Sequence, residues 1–147
     1  MEKRELSKIV FAFLLTCTIC LFTACAIVDD EDLKQNSELY GLWELDSNCR
    51  IKIEGDKATF VLLDAEALHK GLSEFLKVGD VAIKNLKKTE ENKWKGQEIV
   101  WYYKSTGEVS RVDYLSFTYT LNSGKDQLTR EKNDIVNTEA VYYKVTQ

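Results

Sequence analysis

From Tyr40 onward, apolar and polar residues alternate with a period of two in short runs divided by turn residues. That pattern belongs to strands that bury one face. The run Tyr40-Gly41-Leu42-Trp43-Glu44-Leu45-Asp46 opens the series. The second strand covers roughly Arg50 to Glu54, with Ile51 and Ile53 on one face and Arg50, Lys52 and Glu54 on the other; Gly55-Asp56-Lys57 turns the chain. The third, roughly Ala58 to Leu63, is apolar on both faces and therefore needs an outer cover. The cover follows it. Asp64 is a helix cap, because its carboxylate accepts from exposed backbone N–H groups. Within Ala65 to Lys77, Leu68, Leu72, Phe75 and Leu76 recur at helical spacing, and Gly79 suits the turn beyond.

The fourth strand starts at Asp80, with Val81 and Ile83 on one face and Leu86 out of phase, which predicts a bulge near Asn85. A polar turn from Thr89 to Asn92 leads to the most aromatic strand, roughly Trp94 to Tyr103. There Ile99, Trp101 and Tyr103 share one parity, and Trp94, Val100 and Tyr102 the other. After Ser105-Thr106-Gly107, a sixth strand from about Arg111 to Leu121 sets Leu115, Phe117, Tyr119 and Leu121 against Ser116, Thr118 and Thr120. Asn122-Ser123-Gly124-Lys125 is a hairpin signal. Short strands at Gln127–Glu131 and Glu139–Val145 complete the count, the last with Val141, Tyr143 and Val145 on one side. The pattern predicts a mainly β fold: an eight-stranded up-and-down antiparallel barrel with one inserted helix at about 64–77. Closure removes the edges an open meander leaves exposed; a half-open barrel or a two-sheet sandwich is the alternative. The chain has no proline, against a usual share of about 5%, which suits unbroken ladders.

The N-terminal part follows a different pattern. Lys3, Arg4 and Lys8 precede the apolar run Ile9-Val10-Phe11-Ala12-Phe13-Leu14-Leu15, which continues through Thr16 and Thr18 to Leu21-Phe22. This is the layout of a secretory signal. The run is shorter than the roughly 20 residues a spanning helix needs. It ends in Leu21-Phe22-Thr23-Ala24-Cys25, which resembles the lipobox of bacterial lipoproteins. The resemblance implies cleavage between Ala24 and Cys25, and acylation (palmitate among the chains) of Cys25. Several chains on one residue give stable anchoring, at about 0.8 kcal/mol per buried methylene. The membrane is then a partner through the lipid anchor.

Residues 1–24 form the signal, 25–39 a lipidated acidic tether, and 40–147 the barrel domain. In the tether, Asp29, Asp30, Glu31 and Asp32 repel one another and resist burial. From Ala26 to Leu39 it reaches about 45 Å stretched, at about 3.3 Å per residue, or about 20 Å as a coil. An acidic run just after the lipidated Cys resembles the export signal of surface lipoproteins of the Bacteroides group. That resemblance implies the outer face of the outer membrane, the cell surface, with a periplasm-facing placement as the alternative.

Charge narrows the function classes. The chain's 20 basic and 24 acidic side chains lose Lys3, Arg4 and Lys8, and Glu2 and Glu5, with the signal; 17 and 22 remain, a net of −5. A net acidic domain argues against nucleic acid as a partner; Lys84, Lys87, Lys88, Lys93 and Lys95 flank one turn and read as solvated edge and turn charges. Of the cysteines, Cys17 and Cys20 leave with the signal and Cys25 is acylated, so Cys49 is unpaired and expected to be buried or at a strand end. The one histidine, His69, lacks a second His or a Cys pair, so no metal site is expected. We read it as a helix-surface residue. The acids Asp46, Glu54, Asp64, Glu66, Asp80, Glu98 and Asp113 show no spacing that selects a catalytic pair. No catalytic residue, metal or cofactor is expected, and no enzyme.

The Gly41-x-Trp43 opening, the strand count and Trp94-x-Gly96 together resemble lipocalin-like barrels over roughly Tyr40 to Val145. Two functions compete. A barrel of this size holds one small apolar ligand; the inner candidates are Trp43, Phe60, Ile99, Trp101, Phe117, Tyr119 and Tyr143. Alternatively the barrel is packed and serves as an interaction subunit of a cell-envelope protein complex, through an outer patch that includes Tyr102 and Tyr114.

Overall fold

The structure, a computed structural model, describes residues 34–146. The signal, the cleavage site at Ala24, the lipidation site Cys25 and the acids Asp29, Asp30, Glu31 and Asp32 lie outside the described residues.

Eight antiparallel strands close into a barrel in which every strand pairs with its neighbours in sequence and β1 pairs with β8. They are β1 (Gly41–Asp46), β2 (Cys49–Glu54), β3 (Lys57–Leu63), β4 (Val81–Glu90), β5 (Lys93–Tyr103), β6 (Val109–Leu121), β7 (Gln127–Arg130) and β8 (Ala140–Lys144). This is the up-and-down barrel expected from the alternation, in the lipocalin-like form that the resemblance implies. Closure on β1–β8 rests on a short ladder, Trp43 opposite Lys144 and Glu44 opposite Tyr143.

Both ends of the barrel are defined by the connections. Leu39 and the hairpins after β2, β4 and β6 gather at one end, and that end is closed. Trp43 is fully buried there, its indole N–H donating to the Leu39 carbonyl at 2.7 Å, and the Lys144 ammonium stands 5.3 Å from its ring centre. Asn36 also belongs to this plug: its side-chain amide donates to the carbonyls of Gly55 and Leu86 at 3.1 and 2.7 Å. Asn36 and Leu39, assigned to the tether by sequence, are therefore packed parts of the barrel. Gly96 lies in the same layer. A Cβ there would sit 3.0 Å from Leu86 Cδ1 and 3.1 Å from Ile83 Cγ2, so only glycine lets β4 and β5 close over Tyr119.

The bulge predicted near Asn85 is present. The β4–β5 register shifts between Lys84 and Lys87, and Asn85 takes a positive φ of 54°, a conformation asparagine tolerates better than most residues. The helix is shorter than predicted. Asp64 does cap it, accepting from Ala67 N at 3.1 Å, but α1 covers only Ala65–Leu68. Gly71 then turns left-handed at φ 80°, and Leu72–Glu74 form a single 3-10 turn. The reason lies in hydrogen bonding. The Lys70 carbonyl, which a continuing helix would give to Glu74 N, accepts instead from Val109 N on β6. Leu72 is thereby buried completely and Leu76 nearly so.

Candidate functional site

The opposite end of the barrel is open. It is ringed by the ends of β1, β3, β5 and β7 and the starts of β2, β4, β6 and β8, and it holds a cavity of about 690 Å³. Apolar walls come from Leu45, Phe60, Ile99, Val100, Trp101 and Val136. The fold opens here because β4 starts late: its ladder with β5 ends at Ile83 opposite Glu98, so Ile99–Tyr103 pair only with β6.

A buried polar cluster also lines the cavity. Glu98 and Arg130 are 6% and 8% exposed and form an ion pair, Nη1 to Oε1 at 2.8 Å. The Tyr119 hydroxyl donates to Glu98 Oε2 at 2.8 Å. The second guanidinium nitrogen of Arg130 donates to the Thr138 carbonyl at 3.0 Å, which ties down the loop before β8, and the guanidinium stacks 4.5 Å over Phe117. Arg130 Nε is buried without a hydrogen-bond partner among the described residues. Burial pushes the Glu98 carboxyl above its ordinary range, while Arg130 and the Tyr119 and Tyr142 hydroxyls pull it back. Burial, with Glu98 next, raises both phenols, so they remain protonated donors.

The rim carries an aromatic group. His69 follows α1 in extended geometry and meets β5: the Tyr103 hydroxyl lies 2.8 Å from His69 Nδ1, and Trp101 Nε1 donates to that hydroxyl at 3.0 Å. The His69 and Trp101 ring centres are 5.1 Å apart. His69 is thus not a helix-surface residue; the break in the helix brings it to the cavity. Its hydrogen-bond partner among the described residues is the Tyr103 phenol. Among the described residues no three His, Cys, Asp or Glu side chains gather as a metal site.

The structure places the seven inner candidates differently. Phe60, Ile99 and Trp101 line the cavity. Trp43, Phe117 and Tyr119 are buried in the packed barrel. Tyr143 is a correction: it is 53% exposed, and Tyr142 faces inward in its place. The β7–β8 and β8–β1 ladders set Tyr142 beside Leu128 and Lys144 beside Trp43. Tyrosine stands at both parities of β8, so alternation alone misassigned the face.

The β5–β6 ladder gives a second correction. Trp94 pairs with Tyr119, Gly96 with Phe117 and Glu98 with Leu115, so these are the inward residues of β5. Ile99 and Trp101 have the opposite parity and reach the cavity where β5 lacks its β4 neighbour. Tyr102 pairs with Arg111 and Tyr114 with Ile99, which puts the two tyrosines on opposite faces of the ribbon, not in a shared patch. Each is also engaged, Tyr102 under Arg111 and Tyr114 through its hydroxyl to the Val81 carbonyl at 2.6 Å.

Glu98 was one of many acids in the sequence, and Arg130 and Tyr142 were not singled out. Their signal is parity: Glu98 falls in register with Trp94 and Gly96, and Arg130 with Leu128. A charge at an inward position on each of two strands points to a buried pair. Comparison with protein families, curated proteins and solved structures finds no match to the chain.

Proposed function

We propose that this protein is a lipid-anchored binder whose barrel takes one small, mainly apolar ligand into the cavity at its open end. The observation that carries the reading is the cavity itself. At about 690 Å³ it falls within the roughly 300–1,000 Å³ of small-molecule sites, and its apolar walls with a few fixed polar groups match their usual chemistry. A barrel packed throughout, acting as an interaction subunit, is less well supported, because Tyr102 and Tyr114 do not form a common outer surface. Binding is favoured over catalysis because Glu98, Arg130 and His69 are each held by other side chains.

In this reading the acylated Cys25 holds the domain at the outer membrane, and Asp29–Asp32 direct it to the cell surface. Native mass spectrometry of the protein from its own host is the direct test, with a retained small molecule expected. Titration of an apolar ligand should also change the fluorescence of Trp101, while Trp43 and Trp94 lie fully buried. A bare mass in repeated preparations, together with an unchanged Trp101 signal for every apolar probe, would refute the binding reading. Fatty-acid label retained by Cys25→Ser would refute the anchor.

A further inference from the structure

We propose that the ligand of this cavity is cationic: an amine or quaternary ammonium on an apolar body. This inference rests on the binding reading above and adds its charge. The lining contains three formally charged groups, Glu98, Arg130 and Glu139. Two of them cancel. Glu98 and Arg130 neutralise one another, and the guanidinium is fixed by Glu98, by the Thr138 carbonyl and by its stacking on Phe117. Arg130 therefore cannot turn to meet a ligand carboxylate without exposing Glu98 as a buried, unpaired charge. Removing one partner of such a pair is the costly event.

Glu139 remains. It is exposed at the start of β8, lines the cavity, and makes no hydrogen bond or ion pair with a described residue. Among the described residues that line the cavity, one negative charge is uncommitted and no positive one is. Trp101 and Tyr103 on β5 line the same cavity beside His69, and aromatic rings attract cations through their quadrupoles. Trp101 directs its N–H away into the Tyr103 hydroxyl. A carboxylate ligand would meet Glu139 and the negative ring faces together. An ammonium would be attracted by both, while its apolar body lies along Phe60 and Ile99.

The test uses the mature chain from residue 25 with Cys25→Ser, which carries no acyl chains of its own. Decyltrimethylammonium, decanol and decanoate are titrated below their aggregation limits, read by Trp101 fluorescence and by calorimetry. The cation is expected to bind about tenfold more tightly than the alcohol, with decanoate weakest, and raising salt should weaken the cation alone. Glu139→Gln should weaken the cation several-fold and leave decanol unchanged. The residue is exposed, so an unaltered circular dichroism spectrum is expected for this variant. Decanol or decanoate binding as tightly as the cation would overturn the charge assignment while leaving a binding cavity in place. An equal loss for cation and alcohol in Glu139→Gln would overturn the role of Glu139. If none of the three binds, the binding function itself fails.

Discussion

Replacing Arg130 by methionine keeps most of the side-chain volume and removes the charge. Glu98 is then left 6% exposed with only tyrosine donors. Breaking one side of a buried pair costs about 3–5 kcal/mol, a large part of the roughly 5–15 kcal/mol that holds a domain together. Glu98 has a way to lower that cost, because it can bind a proton. Burial already raises its pKa in the intact pair, and without Arg130 the largest opposing influence is gone. A group whose folded pKa lies above its unfolded value stabilises the fold most below the unfolded value, and that stability is lost as pH rises through the folded one. The Arg130→Met variant should therefore lose less stability at pH 5.5 than at pH 8. Glu98→Gln behaves differently. It leaves a buried guanidinium that cannot lose its proton in this range and removes the titrating carboxyl, so its cost should not grow between pH 5.5 and pH 8. The double variant should recover about 2 kcal/mol of the summed single costs. Urea unfolding followed by tryptophan fluorescence at both pH values measures all three. A loss below about 1 kcal/mol for Arg130→Met, or parallel pH profiles for the two single variants, would refute the buried pair as described.

Three further outcomes follow from the packing. Gly96→Ala should destabilise by about 1–3 kcal/mol, because its Cβ would meet Leu86 and Ile83 at 3.0 and 3.1 Å; an unchanged urea midpoint would show that β4 and β5 can part. Trp43→Phe strands the Leu39 carbonyl, at about 1–3 kcal/mol, whereas Trp94→Phe removes an indole N–H that is buried without a partner among the described residues; thermal melts should rank Trp43→Phe as the more damaging, and the reverse order would contradict the plug. The Cys49 thiol is pushed up to about 12 by burial, then by Asp46 and Glu98, so iodoacetamide at pH 8 should label it only in unfolded protein, and rapid labelling of native protein would contradict its burial.

The barrel was legible because strand alternation is a local property that each segment carries by itself. Eight runs with turns between them leave few ways to bury every apolar face, and the bulge at Asn85 showed as Leu86 falling out of phase. Where alternation was ambiguous, the reading failed. Tyr142 and Tyr143 are chemically alike, and only the ladders to Leu128 and Trp43 choose between them. The helix failed for a related reason: Leu68, Leu72 and Leu76 keep helical spacing, yet a single long-range bond from Val109 N to the Lys70 carbonyl ends the helix and swings His69 to the mouth. The cavity depends on where β4 begins relative to β5, a difference in ladder length that no single segment encodes. For the same reason Glu139 drew no notice in the sequence. Its carboxylate resembles those of the other surface acids, and it gains a distinct environment only because Trp101 and Tyr103, from a strand far along the chain, share its opening.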